Sequence, residues 1–226
     1  PHYRVRGHVT PSALPIGYWR AVGASYGGFF FDSFIDEMAH AAGQDPLAFR
    51  IAMAREEHAP SAAVLETVGA MSNWSDASAQ GRALGVGFTY SFGSPVAQVI
   101  EVARRGDGSI GLEKVWIAAD VGVALDPGNI EAQLTGGCLF GLSAAVMGEI
   151  TFDRGEAQQS NFYDYDALRM GAAPAFEVQV LENASYLGGV GEIGTPPAAP
   201  ALGNALFALT GNRVRRLPFN QAFDFA

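Results

Sequence analysis

The sequence predicts an α+β fold in which mixed or antiparallel sheets carry packed helices. Three observations lead there. Apolar residues recur at helical spacing between Phe30 and Met71. From Leu84 onward the period becomes that of strands, with glycine-containing turns between them. A glycine loop, Gly188-Gly-Val-Gly-Glu-Ile-Gly-Thr-Pro-Pro197, then feeds an apolar segment of helical length, Ala198 to Leu209. The division this suggests is a helical segment, residues 1–78, and an α+β segment, residues 79–226, with polar Trp74 to Arg82 between them.

Each element has its own signal. Tyr3 to Val9 alternates apolar or small residues with Arg and His and reads as a strand, and Thr10 to Tyr18, with two prolines and a glycine, as a loop. Phe30, Phe34, Met38 and Ala41 are spaced four, four and three apart, the signature of a buried helical stripe, which leaves Asp36 and Glu37 in solvent. Gly43 ends that helix. Asp45 and Pro46 open the next as N-cap and first position, with Leu47, Ile51 and Ala54 facing inward. A third helix follows from Ser61 to Met71. Leu84–Tyr90, Val96–Val102 and Ile110–Ala118 read as an antiparallel meander, turned at Ser91–Pro95 and Arg104–Ser109. Asp126-Pro-Gly128 opens a long helix, Asn129 to Met147, whose face of Ile130, Leu134, Gly137 and Gly141 would admit another backbone or a cofactor. Gly148 ends it, Glu149 to Asp153 begins a strand, and Ala175 to Leu181 is the strand that leads toward the glycine loop.

Composition narrows the function. The 226 residues carry a net charge of −9, which argues against general nucleic-acid binding. Hydrophobic residues make up 49% and charged residues 16%, a balance that suits a chain with much of its surface covered by a partner. Cys138 is the single cysteine, so neither a disulfide within the chain nor a cysteine-held iron–sulfur cluster can form. No apolar run reaches the roughly 18 residues of a membrane helix. A start at Pro1 reads as a processed or excised piece.

Within the glycine loop, Glu192 is a lone carboxylate just ahead of a helix N-terminus. Such a place suits either a cap or a group that does chemistry on a ligand the loop holds. Gly189-x-Gly191-x-x-Gly194 matches the dinucleotide fingerprint literally, but Asn183 to Leu187 separate it from the preceding strand. No acid follows at Leu209 to Asn212, so a nicotinamide site is not expected. Arg20, in Trp19-Arg-Ala-Val22, reads either as a surface arginine stacked on Trp19 or as a guanidinium aimed at an anionic or carbonyl ligand. His2, His8, His40 and His58 lack metal-site spacing, so no metal ligands are assigned, and Cys138 reads as a core thiol.

Gly189 to Leu206 (GVGEIGTPPAAPALGNAL) resembles the catalytic loop of the molybdenum hydroxylases, the xanthine dehydrogenase and aldehyde oxidase family. Tyr18–Gly23, Phe29–Gly43 and Asp45–Arg50 resemble the branch of the isoquinoline 1-oxidoreductase large subunit and its aldehyde dehydrogenase relatives, in its C-terminal portion. Ser91–Ser94, Ala132-Gln133, Phe140–Ala145 and Gln159–Phe162 are similar to it as well, so the likeness runs through nearly the whole chain in order.

The resemblance implies part of the molybdopterin-binding large-subunit fold, a molybdopterin cytosine dinucleotide carrying molybdenum, and oxidation of an N-heterocycle or aldehyde with oxygen derived from water. It implies Glu192 as the base, Arg20 as the residue that orients substrate, and Trp19, Val22 and Phe92 as pocket walls. It places Gly189, Gly191, Ile193, Gly194 and Gln133 near the cofactor, and claims no such contact at Phe140, where some relatives carry a pterin-binding amide. The family's Gly-Gln-Gly and Gly-Gly-x-Phe-Gly loops are absent here, so most of the cofactor cradle is expected on the N-terminal part of the large subunit. A small two-cluster iron–sulfur subunit is implied as a partner, and a cytochrome beyond it is admitted; the ligand is a small-molecule substrate, not nucleic acid. A periplasmic or membrane-associated complex is favoured over a cytoplasmic one. The alternative is a non-catalytic scaffold or assembly fragment.

Overall fold

The computed structural model describes residues 4, 6–12, 14, 16–76, 81–183 and 186–226, with the side chain of Asp76 excepted. Residues 78 and 79, where the two segments were divided, lie outside the described set, as do Tyr3 and Val5.

A four-stranded sheet organises the fold. Strands β1 (Arg82–Ser91), β2 (Ser94–Arg104) and β3 (Ile110–Asp120) form the expected antiparallel meander. The β1–β2 turn is two residues, Phe92 and Gly93, both at positive φ (53° and 79°), as a tight hairpin of matching twist requires. Two further strands, β4 (Phe152–Asp153) and β5 (Glu156–Ala157), make a separate short hairpin. Strand β6 (Ala175–Leu181) returns parallel to β3 and completes the order β1-β2-β3-β6, so the sheet is mixed.

Helices cover both faces. On one side lie α2 (Pro46–Glu57) and α3 (Ala59–Met71), where Leu47, Val64, Leu65 and Val68 pack on Val86, Ala97, Val99 and Trp116. On the other lie α4 (Pro127–Val146) and α5 (Ala198–Thr210), where Leu134, Leu142, Leu202 and Leu206 pack on Val96, Ile100, Val115 and Ile117. Burial on both faces explains why β2 is nearly continuously apolar rather than alternating.

Local signals hold where sequence spacing set them. Asp45 caps α2 by accepting from the Ala48 N–H at 2.8 Å, with Pro46 in the first turn. Asp126 caps α4 through the Asn129 N–H at 3.1 Å. Gly43 ends α1 (Val22–Ala41) at φ 64°.

Three expectations are corrected. No first strand is found among the described residues: Arg4 and residues 6–12 have no regular structure. The segment from Glu149 contributes only the two residues of β4. Helix α1 is turned over: Phe30 is 63% exposed and Phe34 58%, with Met38 and Ala41 exposed too, whereas Asp36 is 2% exposed. The buried face is Gly28, Phe29, Asp32, Asp36 and Ala39, which has helical spacing as well. Its carboxylates are neutralised from a distance. Arg50 donates two bonds to the Asp32 carboxylate at 2.9–3.0 Å and one to Asp36 at 3.4 Å, and Arg213 reaches Asp36 at 2.6 Å. Glu37 is likewise paired, with Arg215.

Helix α5 sits directly on the β1 backbone, and the glycines of β1 permit it. A Cβ on Gly85 would lie 2.0 Å from Ala205 N and 2.3 Å from Ala201 O; one on Gly87 would lie 2.3 Å from Pro197 O. These are backbone atoms and cannot swing aside. Gly85→Ala should therefore cost at least about 1–3 kcal/mol, read by chemical denaturation, because the helix must lift off the sheet.

Candidate active site

The glycine loop, residues 188–195, is held from three sides. Phe92 in the β1–β2 turn accepts from the Gly189 N–H at 2.8 Å, and Ser94 Oγ donates to the Gly189 carbonyl at 2.9 Å. Further along β2, Gln98 Nε2 donates to the Gly194 carbonyl at 2.8 Å. From α4, the Gly137 carbonyl accepts from Thr195 Oγ1 at 3.0 Å. The small face of α4 thus admits another backbone: a Cβ on Gly137 would lie 3.2 Å from Gly194 Cα, and one on Gly141 2.8 Å from the Thr195 carbonyl.

The third side is the turn that starts α1. Val22 N–H donates to the Trp19 carbonyl at 2.8 Å, and Ala21 and Val22 sit at φ 68° and 39°. Positive φ at a β-branched residue is a genuine backbone outlier, the kind of strain that functional sites retain. Here it aims the Ala21 N–H at Glu192 Oε1, 2.9 Å away. Arg20 donates through Nε and Nη2 to the Gly191 carbonyl, and through Nη2 to Gln133 Oε1 at 2.8 Å. Its guanidinium also lies over the Phe140 ring, 5.9 Å from the centroid, and Trp19 packs on the same ring at 4.8 Å.

Arg20, Gln133, Gly191 and Glu192 are therefore brought together, although they come from three distant stretches. Glu192 does not cap α5, which begins six residues later. Its Oε2 takes no hydrogen bond from the described residues. Phe92 touches the loop at Gly189, on the Ser94 side. Ile193 turns its side chain fully into the core. Gly194 packs against the Leu134 carbonyl, which a Cβ would approach to 2.4 Å; only Gly191 among the four glycines from 188 has open space beside it.

A cavity of about 860 Å³ opens on the far side of the turn, between Trp19, Val22, Tyr26, Phe30, Ala144 and Thr195. Glu192 and Arg20 do not line it. Among the described residues, its lining includes no carboxylate or histidine.

One residue that supports the site escaped sequence reasoning. Gln98 is fully buried, and Cys138 Sγ donates to its Oε1 at 3.3 Å. The available signal was one amide in the otherwise apolar run Val96 to Ile100, since a buried amide must find partners.

One property of the loop bears on what it holds. Among the described residues, no acceptor meets the backbone N–H of Val190, Gly191, Glu192, Ile193 or Gly194. Ile193 and Gly194 are buried, so their orphan donors call for an explanation. A loop with five free donors and open space at Gly191 fits a large, acceptor-rich ligand.

Comparison with known proteins agrees. The molybdopterin cofactor-binding domain family matches residues 29–174, well over half of the chain, and the chain belongs to that family, among the molybdenum hydroxylases. It is 34% identical to the isoquinoline 1-oxidoreductase subunit beta of Brevundimonas diminuta, over 98% of this chain and 29% of the relative. It is 30% identical to the membrane-bound aldehyde dehydrogenase (pyrroloquinoline-quinone) of Gluconacetobacter polyoxogenes, over 96% of this chain and 31% of the relative. The quinoline 2-oxidoreductase of Pseudomonas putida 86 shares the fold, with a TM-score of 0.79 at 11% identity, over 92% of this chain and 53% of that one. The chain thus spans about three tenths of the curated relatives it matches.

Proposed function

We propose that this chain is the C-terminal part of the catalytic subunit of a molybdenum hydroxylase that oxidises an N-heterocycle or an aldehyde, with Glu192 as its base. The observation that carries this is Glu192 itself. One carboxylate oxygen is pinned by the Ala21 N–H, and the other is left free at the mouth of a loop whose amides await an acceptor. A base must be held within reach of the proton it removes, and this arrangement fixes one oxygen to aim the other.

The loop amides of residues 190–194 would hold part of a molybdopterin cytosine dinucleotide, with Gln133 beside them. When bound, the cofactor supplies the oxygen that reaches the substrate and takes up two electrons. Glu192 Oε2 accepts the proton of the water-derived nucleophile. Arg20 keeps the loop in place through the Gly191 carbonyl, and its remaining Nη1 is available to a polar substrate group. Trp19 and Val22, on the cavity side of the turn, and Phe92, against Gly189, are each about two-fifths exposed and would supply apolar walls for a flat heterocycle.

The rest of the catalytic subunit would complete the cradle, and an iron–sulfur subunit, with or without a cytochrome, would carry electrons onward. A periplasmic or membrane-associated site of action is part of this proposal; one relative is named as membrane-bound. The test is turnover of isoquinoline and of acetaldehyde by the complete complex carrying Glu192→Gln, with an artificial electron acceptor and with molybdenum measured in the same preparation.

A further inference from the structure

Strand β2 carries two fully buried polar side chains, Ser94 and Gln98, four residues apart and therefore on one face of the sheet. Each ends on a carbonyl of the Glu192 loop. Ser94 Oγ holds the Gly189 carbonyl at 2.9 Å and Gln98 Nε2 holds the Gly194 carbonyl at 2.8 Å. These two carbonyls flank Glu192, one three residues before it and one two residues after. A primary amide can present either end, and only its N–H₂ end can serve a carbonyl. The Gly194 carbonyl, which can only accept, therefore takes Nε2, and Oε1 is left to the Cys138 thiol, which donates to it at 3.3 Å and which burial keeps protonated.

We propose that Gln98, with the far end of its amide held by Cys138, and Ser94 are positioning residues that fix both ends of the loop and so set where the Glu192 carboxylate points. This rests on the reading of Glu192 as the base. Neither Gln98 nor Ser94 touches the face that the loop presents outward. They act only through the main chain of the residues that do. A displacement of about 1 Å at a reacting group lowers rate on the order of 10²-fold, so loss of one clamp is expected to show in kcat and not in KM.

The experiment uses the complete complex, assayed on isoquinoline. Gln98→Leu should lower kcat about 10- to 100-fold with KM within about threefold, molybdenum content unchanged and the pH profile of kcat displaced. Hydrogen exchange followed by mass spectrometry should show faster exchange in residues 188–196 and no change in β3. Cys138→Ser, which keeps a donor to the amide, should retain near-normal kcat, whereas Cys138→Ala should fall toward the Gln98→Leu value. Should Gln98→Leu fail to assemble, Ser94→Ala and the Cys138 pair carry the same comparison. A kcat within twofold of wild type in Gln98→Leu or, where that variant does not assemble, in both Ser94→Ala and Cys138→Ala, with molybdenum retained, overturns the proposal. So does a fall in activity that matches the fall in molybdenum with an unmoved pH profile, since that is a structural role alone. Glu192→Gln run beside them separates the two readings: if it is inactive while Gln98→Leu is normal, only the clamp fails, and if it is active, the base assignment itself fails.

Discussion

Glu192→Gln should lower kcat by about 10²–10⁴-fold in the complete complex, with molybdenum content unchanged. The substitution suits the local geometry. A glutamine keeps the shape of the side chain and an oxygen that can still accept from the Ala21 N–H, so the turn at the start of α1 and the loop remain joined. What it removes is the capacity of the second oxygen to take a proton. Steady-state kinetics with a metal assay on the same sample decides the matter. Turnover close to wild type with metal retained would remove Glu192 from the chemistry. A parallel loss of metal and activity would mean that the carboxylate serves to hold the loop.

The largest stability effect is expected at Arg50, which is buried between α1 and α2. Its guanidinium donates to the Asp32 carboxylate and carbonyl, to Asp36 and to the Pro46 carbonyl. Arg50→Ala would leave the Asp32 carboxylate in a dry interior without its counter-charge, at a cost of about 3–5 kcal/mol by denaturant unfolding. Asp36 keeps Arg213 and suffers less. Arg50→Lys restores the charge but not the fork, so it should recover only part of the loss. An apolar replacement of Asp32 and Arg50 together should cost less than Arg50→Ala alone, because no charge is then stranded.

This cluster also marks where the sequence stops being legible. The cap at Asp45, the helix opening at Asp126, the meander from Leu84 to Ala118 and the helix that follows the Pro-Pro pair depend on neighbours in the chain, and local spacing found them. The orientation of α1 does not depend on neighbours. Its aromatic stripe and its acidic stripe both have helical period, and periodicity carries no label for the inner face. The decision is made by Arg50, 14 residues from Asp36, and by Arg213, 177 residues away. The first strand shows the opposite case: alternation over Tyr3 to Val9 is a local pattern, and its described residues, Arg4 and 6–9, pair with no strand.

The site divides in the same way. Glu192 stood out because four glycines and two prolines surround it, and the family likeness gave it a role. Arg20 and Gln133 were each singled out, but that Arg20 bonds Gln133 and the loop could not be read from residues 113 positions apart. Gln98 was hidden because a single amide in an apolar strand has no pattern. The glycines of the loop differ in what requires them. Gly189 and Gly194 are small because Phe92 and Leu134 press on them, and only Gly191 leaves room for a guest.

The outward face of α1 has a colloidal consequence. Tyr26, Phe30, Phe31 and Phe34 are each more than half exposed, so the purified chain carries a cohesive surface along one helix. Against it stands a net charge of −9, which keeps copies apart only while the field between them is unscreened. Raising the salt, or lowering the pH toward the isoelectric point near 4.8, removes that repulsion and leaves the attraction. In light scattering, the second virial coefficient of this chain should pass from positive to negative along either path.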